Sequence, residues 1–457
     1  MEPNSSSGDE FFDACETEDQ IDLYQRSCTV QYKAEAVSIK TDFQTSSFEN
    51  SPTHIARSYT EAVPPLPRAH AMPVENKSVH DFEIEKPKDQ PVVLLEHNGD
   101  YKITKKEFNE FNNLQLLQEI ELPHRENNVI CILKFSYDSR KLTVGGSNGR
   151  IIIFDVNLSA GGAISSVPSH ILNEHNGPVT DISWSRQNNL LSSSADGTVK
   201  LWSSSQDSSI DTIQLPCEVS AVTFNPIDSN YFVTASGDLI IRLFRFPDKI
   251  IEGFYQAPGE ITSICYSPSG EFLAVGIDKG QVVLYQGRSD HKLRLGTTLI
   301  CRNRRGLLSG GKRVTGLEFM DEEHLCVTTN DSNIRLYRYK DNLLLQKYKG
   351  TENIKFPIRS SLSEDGEHLL CGSEKGRIFI WNTNRSCDSP GKNNSHESFC
   401  PRKKKCPEYA VFAPIKIVNM VQKGISNEST EIKHVIFTIG SKQNIRVFAN
   451  QSKLNNS

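Results

Sequence analysis

Two adjacent phenylalanines stand inside an acidic tract at Glu10-Phe11-Phe12-Asp13-Ala14-Cys15-Glu16. Aromatics in so polar a segment have no core of their own to join. They are suited to anchoring in an apolar pocket of another protein, with the surrounding carboxylates steering them toward a basic face. A second segment, Val63-Pro64-Pro65-Leu66-Pro67-Arg68, holds prolines at Pro64 and Pro67 with Arg68 flanking them. That spacing forms a polyproline II ridge that can dock an SH3 domain at little entropic cost.

Arg302, Arg304, Arg305, Lys312 and Arg313 cluster within twelve residues and make a basic loop able to contact acidic partners or anionic lipid heads. The same loop imitates a phosphate-binding P-loop at Gly306 to Lys312. The imitation fails because Arg313 stands where Ser or Thr must hold magnesium. The next residues, VTGLEF, read as a strand and not as a helix whose N-terminus could cradle phosphate. Cys387, His396, Cys400 and Cys406 share one segment, but without the paired CxxC knuckles of a zinc site they read as part of a disordered insert. Its Arg402-Lys403-Lys404-Lys405 run has the look of a nuclear import signal or of an exposed basic turn. The histidines scatter over loops and turns, and no Ser/His/Asp, Cys/His or paired-carboxylate set stands out. The expectation is no catalytic residue, no metal, no cofactor and no enzymatic activity.

The elements that must carry these segments repeat with a period near forty. The pieces begin with VICILKFSYDSRKLTVGGSNGRIIIFDV (129–156) and VTDISWSRQNNLLSSSADGTVKLW (179–202). Five more stand at 219–246, 261–285, 314–337, 356–381 and, more loosely, 409–448. Each runs through an alternating strand, a polar turn, a short strand ending in small residues, a Gly/Asp turn and another alternating strand. An aromatic closes each: Phe154, Trp202, Phe244, Tyr285, Tyr337, Trp381 and Phe448. Period-two strands at this spacing predict an all-β, seven-bladed β-propeller. Within it, Ser194, Asp196, Trp202 and Asp331 are scaffold positions.

A blade needs four strands, yet only nine residues come after Phe448. The last blade must borrow its outer strand, and LQLLQEIEL (114–122) is the donor, with Leu114, Leu116, Ile120 and Leu122 as its candidate apolar face. The propeller is accordingly placed at 112–450, with a disordered insert at 385–407, an N-terminal tail at 1–111 and a C-terminal tail at 451–457.

Composition agrees with this division. The chain has 457 residues and a formal charge of -5. Residues 1–50 hold eleven Asp/Glu against Arg26, Lys33 and Lys40, a local charge of -8 that leaves +3 on the remainder. Such balance gives no reason to expect nucleic acid. An acidic tail leading into proline-bearing residues that lack periodicity reads as a solvated interaction segment. MEPNSSSGDE has neither the basic nor the apolar region of a secretory signal. Eleven cysteines, an odd number spread over a long chain, fit a reducing compartment.

Residues 10–16 resemble the FFAT motif, whose members bind MSP domains of VAP proteins, the cytosol-facing receptors of the endoplasmic reticulum. The resemblance implies that Phe11 and Ala14 enter pockets, that Asp13 meets a basic residue, and that Glu10 with Asp9 steers. The flanking Phe12 and Glu16 complete the match. Ser5, Ser6 and Ser7 lie just upstream, where phosphate would add charge. The propeller stretches DISWSRQNNLLSSSADGTVKLW, FNPIDSNYFVTAS, RNRRGLLSGGKRVTGLE and VTTNDSNIRLY are similar to those of the WD repeat-containing protein 44 family of Rab-binding adaptors, over roughly residues 112–385. That resemblance implies a WD-repeat propeller, a VAP link to the endoplasmic reticulum, a recycling-endosome Rab GTPase and SH3-bearing partners. The family holds its Rab-binding region in a long segment before the propeller, whereas here about ninety residues separate tail motif and propeller, and no Rab-contacting residue can be matched.

The sequence therefore points to a cytoplasmic scaffold or adaptor of membrane trafficking, peripheral to endoplasmic-reticulum or endosomal membranes through its partners. The competing reading is a nuclear scaffold or ubiquitin-ligase substrate receptor. Receptors of that class carry Trp-Asp-x-Arg after a blade's third strand, and the corresponding places here are Trp202-Ser-Ser-Ser and Trp381-Asn-Thr-Asn.

Overall fold

The computed structural model describes residues 111–453, apart from 112, 124–128, 157–163, 288–290, 304–310, 384–390, 394–395, 403–406, 425–429 and 441–443. The two tail motifs, Glu10–Glu16 and Pro64–Arg68, lie outside the described residues.

Seven sheets, each built on antiparallel neighbours, form the ring of a β-propeller. The strand β1 (Leu114–Glu121) precedes the first blade, β2 to β5 (Ile130–Phe135, Lys141–Gly146, Ile151–Asp155, His170–Leu172). The second blade is β6 to β9 (Val179–Trp184, Asn189–Ser194, Thr198–Ser203, Ser209–Gln214) and the third β10 to β13 (Val219–Phe224, Tyr231–Ser236, Ile240–Arg245, Ile250–Gln256). The fourth is β14 to β17 (Ile261–Tyr266, Phe272–Ile277, Gln281–Gly287, Leu293–Ile300) and the fifth β18 to β21 (Val314–Phe319, His324–Thr329, Asn333–Arg338, Leu343–Lys349). The sixth contains β22 to β24 (Ser360–Leu362, His368–Cys371, Ile378–Asn382), with β25 (Gly391–Asn393) and β26 (Glu397–Phe399) after them. The seventh has β27 (Glu408–Phe412), the helix α1 (Ile415–Gly424), β28 (Thr430–Gly440) and β29 (Asn444–Lys453).

The ring closes where the two ends of the propeller meet. β1 pairs antiparallel with β29, from Leu114 opposite Asn450 to Glu121 opposite Asn444. It supplies the outer strand that the seventh blade's own sequence lacks and covers an edge that would otherwise invite aggregation. Its apolar face differs from simple alternation. Ile120 and Leu122 are buried, but Leu116 is 50% exposed. The register shifts between Leu116 and Gln118, so the bulge turns Leu117 inward instead, where it packs on the core. Gln118 uses the irregularity to bond Ile164 twice, donating to its carbonyl at 2.8 Å and accepting its N–H at 3.0 Å.

Two boundaries also differ. Phe111, read as tail, is buried against Phe412, His368 and His434. Residues 385–407, read as a disordered insert, contain β26, which pairs with β24 as the sixth blade's outer strand, and β25, which adds to β21 of the fifth blade in parallel. The sixth blade needs an outer strand, and this segment is the chain that lies between β24 and β27. An outer strand faces solvent, so its polar composition hides it from pattern reading. Arg402 is not an exposed basic turn: its side chain is buried, 2.8 Å from Glu408, and donates to the Asn444 carbonyl.

Packing between blades fills the ring. The seven closing aromatics are all buried. Apolar clusters bridge neighbouring blades: Leu191, Val199 and Val222 join the second to the third, and Val233, Leu243 and Ile264 the third to the fourth.

Candidate partner-binding face and channel

A WD-type polar network stiffens the second blade. Trp202 Nε1 donates to Ser192 Oγ at 2.8 Å, and His175 Nε2 lies 2.7 Å from the same oxygen. His175 Nδ1 meets Thr198 Oγ1 at 2.8 Å and Asp196 Oδ2 at 3.2 Å. Burial works to raise the Asp196 carboxyl, but hydrogen bonds from His175 and Thr198 outweigh it and hold it well below the usual carboxylate range. The third and fifth blades use arginine for the same task. Arg242 joins Ser236 to Asp238, while Arg335 Nη1 donates to Thr329 Oγ1 at 2.5 Å and its Nη2 to Asp331 Oδ2 at 2.5 Å. Ser194, Asp196, Trp202 and Asp331 are thus scaffold, as their place in the repeat implies.

Each inner strand has one neighbour in its own sheet, so its second edge faces the central channel with backbone groups to satisfy. Side chains of the preceding blade do this. Ser183 Oγ accepts the Phe224 N–H at 3.0 Å, and Ser361 Oγ accepts that of Phe412 at 3.2 Å. The hydroxyls of Thr262 and Thr315 donate to the carbonyls of Val314 and Ile358 at 2.6 and 2.9 Å. Residues equivalent to Ser183 in this register are Lys134, Thr223, Cys265, Glu318, Ser361 and Val411, and all are partly accessible.

Charges enter this ring at Lys134 and Glu318. Lys134 Nζ donates to the Ile182 carbonyl at 2.6 Å and lies 3.2 Å from Asp181 Oδ1. Arg359, just ahead of β22, reaches the same oxygen at 2.9 Å. Asp181 is on the second blade and Arg359 on the sixth, so the pair spans the channel. Burial would raise the Asp181 carboxyl, but Arg359 and Lys134 overcome that and keep it below its ordinary value. Glu318 shows the opposite outcome. Burial dominates, the Leu362 N–H and distant Lys134 are insufficient, and the carboxyl is pushed up to about 8. Burial likewise pushes the Cys265 thiol up to about 11, which leaves it protonated and a poor nucleophile at neutral pH.

Inner strands begin at one end of the ring, and the loops leading into them open on that face. The 301–313 loop is one of them. Arg302, Lys312 and Arg313 are exposed there, while Arg304 and Arg305 lie outside the described residues. The ends of this loop are pinned to the turn at Gly280, whose φ of +66° favours glycine. Cys301 N–H donates to the Gly280 carbonyl at 2.8 Å, and a Cβ on Gly280 would approach Lys312 N to 3.0 Å. The two ends of the loop, at Cys301 and Lys312, thus meet at one turn. Arg313 has a long ion pair to Glu260 at 3.6 Å. Lys279 and Lys355 add exposed cations from neighbouring loops on the face, with Glu260, Glu352 and Glu374 interspersed. Such a surface suits a charged protein or headgroup partner.

Sequence reading missed the Asp181–Lys134–Arg359 group. Its signal was present: charged residues at inward positions of otherwise apolar inner strands.

The WD domain, G-beta repeat family matches residues 166–203, the second blade. The chain is 35% identical to WD repeat-containing protein 44 of Xenopus laevis over 213 residues, 46% of this chain and 23% of that protein. It is 31% identical over 219 residues to an uncharacterized WD repeat-containing protein of Schizosaccharomyces pombe, covering 45% of this chain and 36% of that one. The chain thus spans about a quarter to a third of the length of these curated relatives. Among solved structures, the β-propeller domain of Myceliophteria thermophila Cps50 (Swd1) superposes with a TM-score of 0.53 at 16% identity, over 74% of this chain and 99% of that one, a likeness of fold. The chain is a seven-bladed β-propeller whose second blade matches the WD domain, and it is similar over nearly half its length to WD repeat-containing protein 44.

Proposed function

We propose that this chain is a non-enzymatic adaptor in membrane trafficking or endoplasmic-reticulum contact, tethered to a VAP-type MSP domain by Glu10, Phe11, Phe12, Asp13, Ala14 and Glu16. The observation that carries this reading is the full FFAT-like match in an acidic segment outside the propeller. The propeller offers a rigid, charged face, a scaffold's usual working surface. The likeness to WD repeat-containing protein 44 adds a recycling-endosome Rab GTPase as a further partner, and Pro64, Pro67 and Arg68 add SH3-domain proteins. Membrane association then runs through partners, and no helix among the described residues is long and apolar enough to cross a membrane.

A peptide of residues 1–23 binding a VAP MSP domain in calorimetry tests the tether. The expected affinity is roughly micromolar, near 8 kcal/mol, because a short peptide loses conformational entropy as it binds. Phe11→Ala should weaken it about thirtyfold, the truncation cost of a central anchor being about 2 kcal/mol. Ala14→Asp should act similarly by forcing a charge into a small apolar pocket. Equal binding by the Phe11 variant would reduce the match to coincidence.

A further inference from the structure

On the side of the ring opposite the loops that lead into the inner strands, three potential ligands from two blades converge. Asp365 lies in the turn after β22, His368 opens β23, and His434 is on β28. One donor atom from each lies within 4.8 Å of the others. The imidazoles cross edge to face with centroids 4.6 Å apart. Both histidines are buried and Asp365 is exposed, so the group has a dry floor and a mouth open to solvent.

We propose that Asp365, His368 and His434 bind a divalent transition-metal ion, zinc foremost, and thereby fasten the sixth blade to the seventh.

The donor chemistry favours this ion class. Two imidazoles and one carboxylate suit a cation of borderline softness, and zinc commonly takes three protein ligands with water in the fourth place. The carboxylate is held ready: its Oδ1 accepts the Ser363 hydroxyl at 2.5 Å and the Glu367 N–H at 2.8 Å. The floor is aromatic. Phe111 stacks on His434 at 5.2 Å and meets His368 edge-on at 5.2 Å, and Phe412 tilts against His434 at 5.6 Å. An apolar surround lowers the local dielectric, strengthens ion–ligand attraction and fixes the ring orientations.

The location gives such an ion a mechanical consequence. Phe111 stands three residues before β1, the strand that closes the ring. An ion joining β23 to β28 beneath Phe111 would stiffen the junction next to that closure. Binding to the folded state alone must raise thermal stability.

The test uses the full chain, purified metal-free and titrated with zinc chloride at pH 7.5, with cobalt(II) absorption as a spectroscopic reporter of coordination. One zinc-binding event should raise the melting temperature and be weakened at least about tenfold by Asp365→Asn. Asparagine retains the oxygen that Ser363 and Glu367 bond, so this variant keeps the turn while losing the charge. His434→Gln should weaken the same event and abolish the cobalt bands, and if that variant melts poorly, Asp365→Asn carries the test alone. Failure of the parent chain to bind zinc, or equal zinc affinity in Asp365→Asn, overturns the proposal.

Discussion

Arg359 Nη1 lies 2.9 Å from Asp181 Oδ1 although the two residues are 178 apart in the chain and belong to blades separated by two others around the ring. This ion pair reads out ring closure, since it forms only when all seven blades take their places. Asp181→Asn should destabilise the propeller by about 2 to 3 kcal/mol, toward the lower end for breaking a buried pair because Arg359 and Lys134 retain access to channel water. Arg359→Gln should cost less, since Lys134 still faces the carboxylate. Because the folded Asp181 carboxyl lies below its unfolded value, the pair's contribution is present above about pH 4 and lost as pH falls through the folded value. Chemical denaturation at pH 7 and pH 3 measures both effects, and equal costs for Asp181→Asn at the two pH values would refute the assignment.

Glu318 sets the opposite slope. Its carboxyl is raised to about 8, so below the unfolded value near ~4.5 it is protonated in both states and neutral for stability. As pH rises from there to about 8, the unfolded chain ionises first and the native state loses stability. Glu318→Gln keeps the acceptor for the Leu362 N–H at 3.0 Å and should be the more stable protein at pH 8, by on the order of 1 to 3 kcal/mol. The advantage should vanish near pH 4.5. Parallel melting curves for the two proteins across this range would count against it.

Closure by β1 predicts a sharp truncation boundary. A chain beginning at residue 100 should fold, whereas one beginning at residue 125 loses the whole β1–β29 ladder with buried Ile120, Leu122 and Phe111. The exposed edge of β29 should then aggregate. Equal melting temperatures for the two chains would show that the ring does not need this strand.

The 301–313 loop should govern charge-driven attachment. Replacing Arg302, Arg304, Arg305, Lys312 and Arg313 with Gln should leave the melting temperature nearly unchanged, since Arg302, Lys312 and Arg313 are exposed. Binding to anionic liposomes or an acidic partner should fall and become less salt-sensitive. Binding that is indifferent both to the substitutions and to moderate salt would mark the loop as merely solvated.

Sequence alone determined the blade count, the closing aromatics and the identity of the strand that completes the last blade. These are local or additive properties: a period-two strand, a Gly/Asp turn and a count of strands needed against strands supplied. It could not place Leu116, because a bulge resets alternation and depends on the partner strand, nor recognise 397–399 as a strand, because an outer strand facing water has no apolar pattern. Tertiary structure alone decided which charges meet. Asp181 and Arg359 become neighbours only when the ring sets the second and sixth blades across its channel, and no spacing along the chain encodes that distance.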